Sequence, residues 1–350
     1  MKKISKKENK NLFKKIFIQI ARKLGYEIID QNNLYIPTLK KTANDNLSKP
    51  GLSSITIPTG KVHITRKITD LTIIIRSYTS TEVEKSKVML DQNKKRIFEF
   101  PKIEYTLRTI NSLINSCNSA LDIFQKNKIK LIITDDNSTK ENLERINNLL
   151  KKANFETSII NLGKKEFSDA IVKNDTNNKP ITDGMFSNMK NILKSIELAV
   201  DSANDLVYFL EDDYIHEKIA LTEMLFTYEK ISSQLNKDIF LCPADYPYLY
   251  SKLENSNIYI GNMRHWRSVN ETLITFLTSK KMILKYLNEL KSMATIRHHP
   301  MEKKLHEIYE KENCFSPIPS LAMHCTFINS IYGIPPIFDW KKIWDENEVI

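Results

Sequence analysis

The spacing of apolar residues near the start of the chain predicts an amphipathic helix. Over residues 12–24 the apolar side chains recur every three or four positions, with lysines between them. This period places the apolar residues on one face of a helix, and Gly25 is a natural stop. A basic face opposite a Phe, Ile and Leu face is typical of a helix lying in an anionic membrane interface. Docking on the protein itself or on a partner, and a tail without a function, are the alternatives.

Further along the chain, short β-branched runs alternate with helical patterns. Residues 40–68 contain Asn, Ser, Pro and Gly with few apolar clusters, which indicates a linker. The chain then predicts strands at 71–77, 129–134, 156–162 and 205–210, and less regular ones near 238–242, 257–261 and 273–278. It predicts helices at 101–125, 141–152, 186–202, 217–233, 280–292 and 301–311. This alternation favours an α/β fold with a mainly parallel central sheet flanked by helices.

The same patterns divide the chain into two parts. Residues 1–68 hold the basic amphipathic helix and the linker, and residues 69–345 form a single α/β domain with halves 69–215 and 216–345. At 350 residues, the chain is long enough to bury a substantial core.

Composition and cysteine usage indicate a soluble protein of a reducing compartment. The chain is 41% hydrophobic and 27% charged, which is typical of globular proteins. No run approaches the roughly 18 apolar residues of a membrane-spanning helix, and the N-terminus lacks the pattern of a signal peptide. The cysteines have no CxxC spacing, which argues against a zinc site and fits the cytoplasm. They are Cys117, Cys242, Cys314 and Cys325.

The positive charge is concentrated at the N-terminus. The net charge is +10, and residues 1–25 carry nine lysines and arginines against Glu8, so the rest of the chain contributes only +2. A nucleic-acid-binding domain spreads positive charge over its fold. We therefore expect an anionic membrane surface as the partner of residues 1–25, and no nucleic acid partner.

Glycine is too scarce for the common phosphate-binding loops. The seven glycines are never spaced as GxGxxG or GxxxxGK[ST], which excludes the ordinary dinucleotide fingerprint and the P-loop. A nucleotide bound by this chain is therefore held by side chains or by a metal ion.

Two acidic clusters follow predicted strands. Asp135 and Asp136 follow the second strand, and Glu211, Asp212 and Asp213 follow the fourth. Ligands of open α/β sheets bind outside the carboxyl ends of the strands, so both clusters are expected to face one ligand. Helix capping is the alternative, because Ser and Asp near a helix start satisfy its free N–H groups, and acids are favoured by its dipole.

Three adjacent carboxylates beside a buried strand repel one another unless a cation neutralises them. Mg²⁺ or Mn²⁺ bound through one or two carboxylates, with water and phosphate oxygens in the other positions, resolves this conflict. The second cluster therefore predicts a site for a divalent cation and a diphosphate.

The stretches DLTIIIRSY, IITDDNST and VYFLEDDYI, in this order, resemble nucleotide-sugar glycosyltransferases of the GT-A fold, especially the large family-2 type. The resemblance covers residues 69–215 and implies a nucleotide-sugar half there and an acceptor half at 216–345. It implies that Asp136, or its neighbour Asp135, contacts the base, usually uracil. It also implies that Glu211, Asp212 and Asp213 form the DXD-type motif that holds Mn²⁺ or Mg²⁺ on the diphosphate.

Within this resemblance, Asp213 is the expected direct metal ligand, with Asp212 beside it. Arg76 stands where the family often has Pro, and is a candidate contact of the nucleotide or diphosphate. Asn188 and Lys190, on the helix from Met185, are further candidates near the diphosphate. His324 resembles a C-terminal histidine that some GT-A enzymes use as a metal or diphosphate ligand, although a histidine among apolar residues is more often part of the core.

Inverting sugar transfer needs a general base for the acceptor hydroxyl and a metal for the leaving diphosphate. Such a base is commonly an acid downstream of the DXD motif. Our first candidate is Glu302, at the start of a helix where it can face the cleft, and the others are Asp245 and Glu271. An acid in the first turn of a helix is also common for structural reasons. The segment with Arg264, Trp266 and Arg267 suits an acceptor wall, although a surface loop has the same composition.

These features together predict a metal-dependent hexosyl- or N-acetylhexosaminyltransferase, inverting if the resemblance holds. It would move a sugar from a UDP-sugar to a glycan or lipid-linked acceptor in cell-surface polysaccharide or glycolipid synthesis, on the inner face of the membrane. A Mg²⁺-dependent nucleotidyltransferase is the enzymatic alternative, but it usually has a Gly-rich loop after the first strand. A non-enzymatic, membrane-tethered binding module is the second alternative, and the low charge outside residues 1–25 opposes it.

Overall fold

The computed structural model describes residues 12–26, 54–57, 60–79, 98, 100–251, 254–325 and 333–349. Most of the predicted linker at 40–68 lies outside these residues. A small unit comprises residues 1–47 and 56–61, and a large unit comprises residues 48–55 and 62–350.

The small unit contains helix α1 (Leu12–Lys23). The backbone of Gly25 has φ +86°, which favours glycine, and the Tyr26 N–H donates to the Ala21 carbonyl at 2.9 Å. This is the arrangement with which glycine commonly ends a helix. The apolar side chains of Phe13, Phe17 and Ile20 are exposed.

The large unit is built on a nine-stranded sheet. The described part of the chain as a whole contains thirteen strands, nine of which form this sheet. In chain order the thirteen are β1 (Ser54–Ile57), β2 (Gly60–His63), β3 (Asp70–Ser77), β4 (Lys128–Asp135), β5 (Glu156–Asn161), β6 (Leu206–Glu211), β7 (Tyr214–His216), β8 (Phe240–Leu241), β9 (Ile258–Ile260), β10 (His265–Val269), β11 (Phe276–Ser279), β12 (Cys314–Ile318) and β13 (Ala322–His324). The further helices are α2 (Lys102–Ile123), α3 (Lys140–Leu150), α4 (Asp183–Ser202), α5 (Ala220–Leu235), α6 (Lys280–Lys285), α7 (Leu287–Thr295), α8 (Lys303–Tyr309) and α9 (Trp340–Glu346).

The sheet has the strand order β5-β4-β3-β6-β11-β8-β12-β10-β9. Strands β5, β4, β3 and β6 are parallel. Beyond β6, β11 runs antiparallel to its neighbours, β8 and β12 pair in parallel, and β10 is antiparallel to β12 and β9. An α/β fold with a large central sheet and flanking helices is therefore confirmed, and its continuous parallel part is the half that the sequence pattern described best.

The parallel half is buried on both faces. Ile73, Ile74 and Ile75 of β3 are inaccessible to solvent, and helix α4 packs on β3 and β4. Each fully buried Ile contributes about 1.5–3 kcal/mol relative to an exposed one. The unbroken apolar run of β3 is explained by this two-sided burial, which fixes the carboxyl ends of the strands as a rigid edge.

A short two-stranded sheet brings the C-terminal part of the chain to this edge. Strand β13 pairs antiparallel with β7, so that His324 lies opposite Tyr214. The Cys325 N–H donates to the Asp213 carbonyl at 2.7 Å. Because β7 directly follows the acidic cluster after β6, this pairing places His324 beside that cluster.

Candidate active site

The two acidic clusters lie at the same edge of the sheet, on either side of β3. Ser77 of β3 is opposite Asp135 of β4, and Arg76 is opposite Glu211 of β6. Two strand spacings separate β4 from β6, which is about 10 Å. This edge can therefore hold one extended ligand that contacts both clusters.

Asp136 is held by a buried ion pair. The ammonium of Lys190 lies 2.7 Å from Asp136 Oδ1, and both residues are only 2% exposed. Ser187 donates to the other carboxylate oxygen, and Lys190 also donates to the Gly163 carbonyl at 3.1 Å. These contacts offset the cost of burying the two charges. They also fix the carboxylate as a hydrogen-bond acceptor at the wall of a cavity.

That cavity has a volume of about 650 Å³. Asp136 and Lys190 line it together with Tyr78, Phe186 and Lys164. Two aromatic side chains, an oriented carboxylate and cations give it groups that suit a planar, polar ligand.

Asp135 has a different environment. Its carboxylate accepts hydrogen bonds from the Ser138 N–H at 2.9 Å and from the Ser138 hydroxyl at 2.5 Å. Burial raises its pKa, and these hydrogen bonds oppose that effect. Asp135 therefore holds the turn after β4, while its neighbour Asp136 lines the cavity.

Glu211 pairs with the arginine of the first motif. Arg76 Nη2 lies 2.9 Å from Glu211 Oε1 and donates to the Ile274 carbonyl at 3.4 Å. Arg76 is buried, and within the described part of the chain its Nε and Nη1 have no hydrogen-bond partner. The guanidinium thus neutralises the first acid of the cluster and retains unused donors.

Asp212 is engaged by the protein itself. Its Oδ1 accepts from Lys102, and its Oδ2 accepts from the Thr106 hydroxyl at 3.0 Å and from the Tyr78 N–H at 3.2 Å. These donors come from α2 and from the segment after β3. Asp212 therefore ties the end of β6 to both elements.

Asp213 and His324, two of the candidate metal ligands, lie side by side. His324 Nε2 lies 3.4 Å from Asp213 Oδ1, and its ring stacks on Tyr214 with centroids 4.5 Å apart and planes 13° apart. One carboxylate oxygen and one imidazole nitrogen at this separation suit a shared divalent ion, and imidazole is a more usual ligand of transition-metal ions than of Mg²⁺.

Among the described residues, no group of three or more His, Cys, Asp or Glu side chains forms a potential metal site. An ion held by Asp213 and His324 must therefore take its other ligands from water and from a bound diphosphate, which is usual for ions that act on phosphates. The residues present fit such an ion.

Glu302 borders a second cavity, of about 290 Å³, with Asn188 and Arg297. Gly184, at the start of α4, lines this cavity and the first one. Burial raises the pKa of Glu302, and repulsion by Glu211 adds to the shift. A half-buried carboxylate with a raised pKa at the wall of a cavity is suited to accept a proton.

The other two candidate bases are placed differently. Asp245 is buried, with Arg267 Nη2 2.6 Å from its Oδ1 and the Tyr250 hydroxyl bonded to its Oδ2. Both of its oxygens are thus taken by protein donors. Glu271 is half-buried in the loop between β10 and β11.

The prediction that Trp266 forms part of an acceptor wall is wrong. This residue is 0% exposed and its indole N–H donates to Glu223 at 3.1 Å, so its ring is not available to stack on a sugar. Arg267 lies over the Tyr250 ring at 4.2 Å in addition to its pair with Asp245. Arg264 pairs with Glu217 at 2.7 Å.

Several residues of the site were missed by sequence reasoning. Lys102, Thr106 and Ser187 hold the acids and have no motif of their own. The position of Lys102 could have pointed to a role in the site, because a lysine in the first turn of a helix is disfavoured by the helix dipole. His216 of β7 is buried and hydrogen-bonded to the Tyr208 hydroxyl at 2.7 Å, and burial lowers its pKa to about 3.

No family model and no curated protein matches the sequence. Solved structures resemble parts of the fold. S. aureus TarS shares 10% identity over 62% of this chain and 30% of that chain, with a TM-score of 0.34. The galactosyltransferase LgtC, in complex with donor and acceptor sugar analogs, shares 13% identity over 63% of each chain, with a TM-score of 0.30. UDP-glucose pyrophosphorylase complexed with UDP-glucose shares 10% identity over 74% of this chain and 93% of that chain, with a TM-score of 0.37.

The chain thus spans about a third of the length of TarS and less than two thirds of that of LgtC. In the described part of the chain, no helix has the length and apolar character to cross a membrane.

Proposed function

We propose that this protein is a glycosyltransferase with a GT-A-like fold, which transfers a sugar from a UDP-sugar to a hydroxyl of a glycan or lipid-linked acceptor. The observation that carries the proposal is the pair of acidic groups at one sheet edge, with Asp136 at a cavity on one side of β3 and Asp213 beside His324 on the other. A nucleoside diphosphate has a polar planar base at one end and a diphosphate at the other, and matches this arrangement.

In this proposal the base lies in the cavity beside Tyr78, and Asp136 accepts from the N3–H of uracil. Asp213 and His324 hold a divalent ion, Mn²⁺ for preference, which supplies positive charge to the leaving diphosphate. Arg76, which pairs with Glu211 at the same sheet edge, supplies a further positive charge there.

We further propose that Glu302 is the general base of an inverting transfer. The acceptor oxygen attacks the anomeric carbon while the bond from that carbon to the phosphate oxygen breaks. The electron pair of that bond leaves with the diphosphate, and Glu302 takes the proton of the acceptor hydroxyl. Burial raises the pKa of both Glu302 and Asp245, but Asp245 has both oxygens taken by Arg267 and Tyr250, so its partners favour Glu302 as the base.

A nucleotidyltransferase remains the alternative, and the loop after β3 argues against it. Nucleotidyltransferases of this architecture use a Gly-rich loop there to cradle phosphates, but the chain has no glycine between Gly60 and Gly163. In the proposed site, acids and a lysine occupy the edge where such a loop would expose its backbone N–H groups.

Thermal unfolding with UDP, GDP and CMP, each with and without Mn²⁺, tests the donor. We expect UDP with Mn²⁺ to raise the melting temperature, and the Asp213→Asn variant to lose the dependence on Mn²⁺. Asp169→Asn, at an exposed position that lines neither of the two cavities, is the matched control. The absence of a shift with every nucleotide would refute the proposal, and release of pyrophosphate from UTP and a sugar phosphate would favour the alternative.

We also propose that α1 holds the enzyme on an anionic membrane surface, where lipid-linked acceptors for polysaccharide or glycolipid synthesis are found. The exposed Phe13, Phe17 and Ile20 and the lysines of residues 1–25 support it. Phe17→Ser combined with Ile20→Ser should weaken binding to vesicles that contain phosphatidylserine, measured by sedimentation. Equal binding by this variant and the unaltered protein would exclude the anchor.

A further inference from the structure

Lys102 occupies an unfavourable position for a lysine. It is the first residue of α2, which follows Pro101 and has no side-chain cap. The N-terminus of a helix carries partial positive charge, so a cation is disfavoured there and an anion is favoured. Local helix energetics therefore do not explain this residue, and its partners must.

The partners of Lys102 are the two aspartates of the acidic cluster. Its ammonium bonds to Asp212 Oδ1 and lies 3.8 Å from Asp213 Oδ2, and its side chain is 12% exposed. On the opposite oxygen of Asp213, His324 Nε2 lies 3.4 Å away. The Lys102 ammonium and His324, the second proposed metal ligand, therefore lie on either side of the Asp213 carboxylate.

We propose that Lys102 competes with the divalent ion for the Asp212–Asp213 carboxylates and moves to the donor diphosphate when that ion binds. This inference rests on the proposed function and adds a residue to it. An ammonium this close to Asp213 repels an ion bound to the same carboxylate, and low exposure weakens the screening of that repulsion.

The chemistry of lysine suits such a movement. The ammonium is a compact charge on a flexible four-carbon stem, so it can exchange a carboxylate for a phosphate without moving the helix. When the ion takes over Asp213, the diphosphate adds negative charge at the same place. Asp212 stays in position because Thr106 and the Tyr78 N–H hold its second oxygen.

Competition predicts two effects of opposite sign. Removing the ammonium should make the ion bind more tightly, because a repelling charge is lost. It should make the nucleotide bind more weakly in the presence of saturating ion, because a cation that contacts the diphosphate is lost. If Lys102 only joined α2 to β6, its removal would disturb Asp212 and would weaken the binding of both the ion and the nucleotide.

The Lys102→Met variant tests this inference, because it keeps the length of the side chain and removes its charge. Mn²⁺ binding without nucleotide is measured by electron paramagnetic resonance of the free ion. UDP binding at saturating Mn²⁺ is measured by calorimetry. We expect Mn²⁺ to bind about tenfold more tightly and UDP about tenfold more weakly. Each change corresponds to about 1.4 kcal/mol of binding free energy.

Two further variants separate charge from structure. Lys102→Arg keeps the charge and should retain weak Mn²⁺ binding. Thr106→Val removes a hydrogen bond to Asp212 but keeps the ammonium, so it should not tighten Mn²⁺ binding. If the methionine variant does not fold, Lys102→Gln allows the same two measurements.

Unchanged or weaker Mn²⁺ binding by Lys102→Met would overturn the competition, as would tighter binding by Thr106→Val. If the unaltered protein binds Mn²⁺ and UDP but Lys102→Met shifts both in one direction, the inference about Lys102 fails and the proposed function stands. If the unaltered protein binds neither, the proposed function fails and the role of Lys102 fails with it.

Discussion

Glu302 is the residue whose chemistry is most open to a direct test. As a base it must be deprotonated, and burial together with repulsion by Glu211 raises its pKa. Activity should therefore fall as the pH drops through this raised pKa, at a higher pH than for an ordinary glutamate near 4.3. We expect the acid limb of the kcat/KM profile to report this shift.

Glu302→Gln should lower kcat by about 100-fold or more, the usual contribution of a general base. It should leave UDP affinity nearly unchanged, since the residue does not hold the nucleotide. Glu310→Gln, just beyond the same helix and exposed, is the matched control. Full activity of the Glu302 variant with an unchanged pH profile would mean that another residue is the general base.

The Lys190–Asp136 pair makes a prediction about stability. Lys190→Met leaves a carboxylate buried without its cation, which typically costs about 3–5 kcal/mol of the free energy of unfolding. Adding Asp136→Asn removes the stranded charge and should restore part of that loss. Urea unfolding of both single variants and the double variant measures the coupling. Additive losses would mean that the two side chains do not interact.

Among the strands, the short β7–β13 pair matters most for the site. It stacks His324 on Tyr214 and so orients the imidazole beside Asp213. Residues that orient a metal ligand commonly contribute 10–100-fold to metal affinity. Tyr214→Leu, which removes the stack, should therefore weaken Mn²⁺ binding by about tenfold or more, as measured by calorimetry. Tyr214→Phe keeps the ring and should bind Mn²⁺ as the unaltered protein does, and equal weakening by both variants would contradict a role for stacking.

The elements that the sequence predicts well are those with a strong local period. The apolar run of β3 and the spacing of apolar residues in α2 and α4 are enough to predict these elements. The positions of the acids at the sheet edge follow from where β4 and β6 end. Strand β8 has only two residues, Phe240 and Leu241, so no pattern can mark it or the antiparallel pairs around it.

The partners of the acids are the part of the site that local sequence could not specify. Lys102 reaches Asp212 because α2 begins at the sheet edge, and His324 reaches Asp213 because β13 pairs with β7. Both contacts join segments more than a hundred positions apart. Trp266 shows the converse, since its sequence suits a sugar-binding surface and only the packing of Glu223 against its indole places it in the core.

The whole chain combines a helix with exposed apolar residues in one unit and the candidate donor site in another. If α1 serves only to bind the membrane, removal of residues 1–26 should abolish binding to anionic vesicles. The truncated protein should keep the stabilisation by UDP and Mn²⁺, about 2.7 kcal/mol at a hundredfold excess over the Kd. Thermal unfolding and vesicle sedimentation of the same preparation measure both. Loss of the UDP response on truncation would show that residues 1–26 take part in the donor site, and retained vesicle binding would place the membrane contact on the large unit.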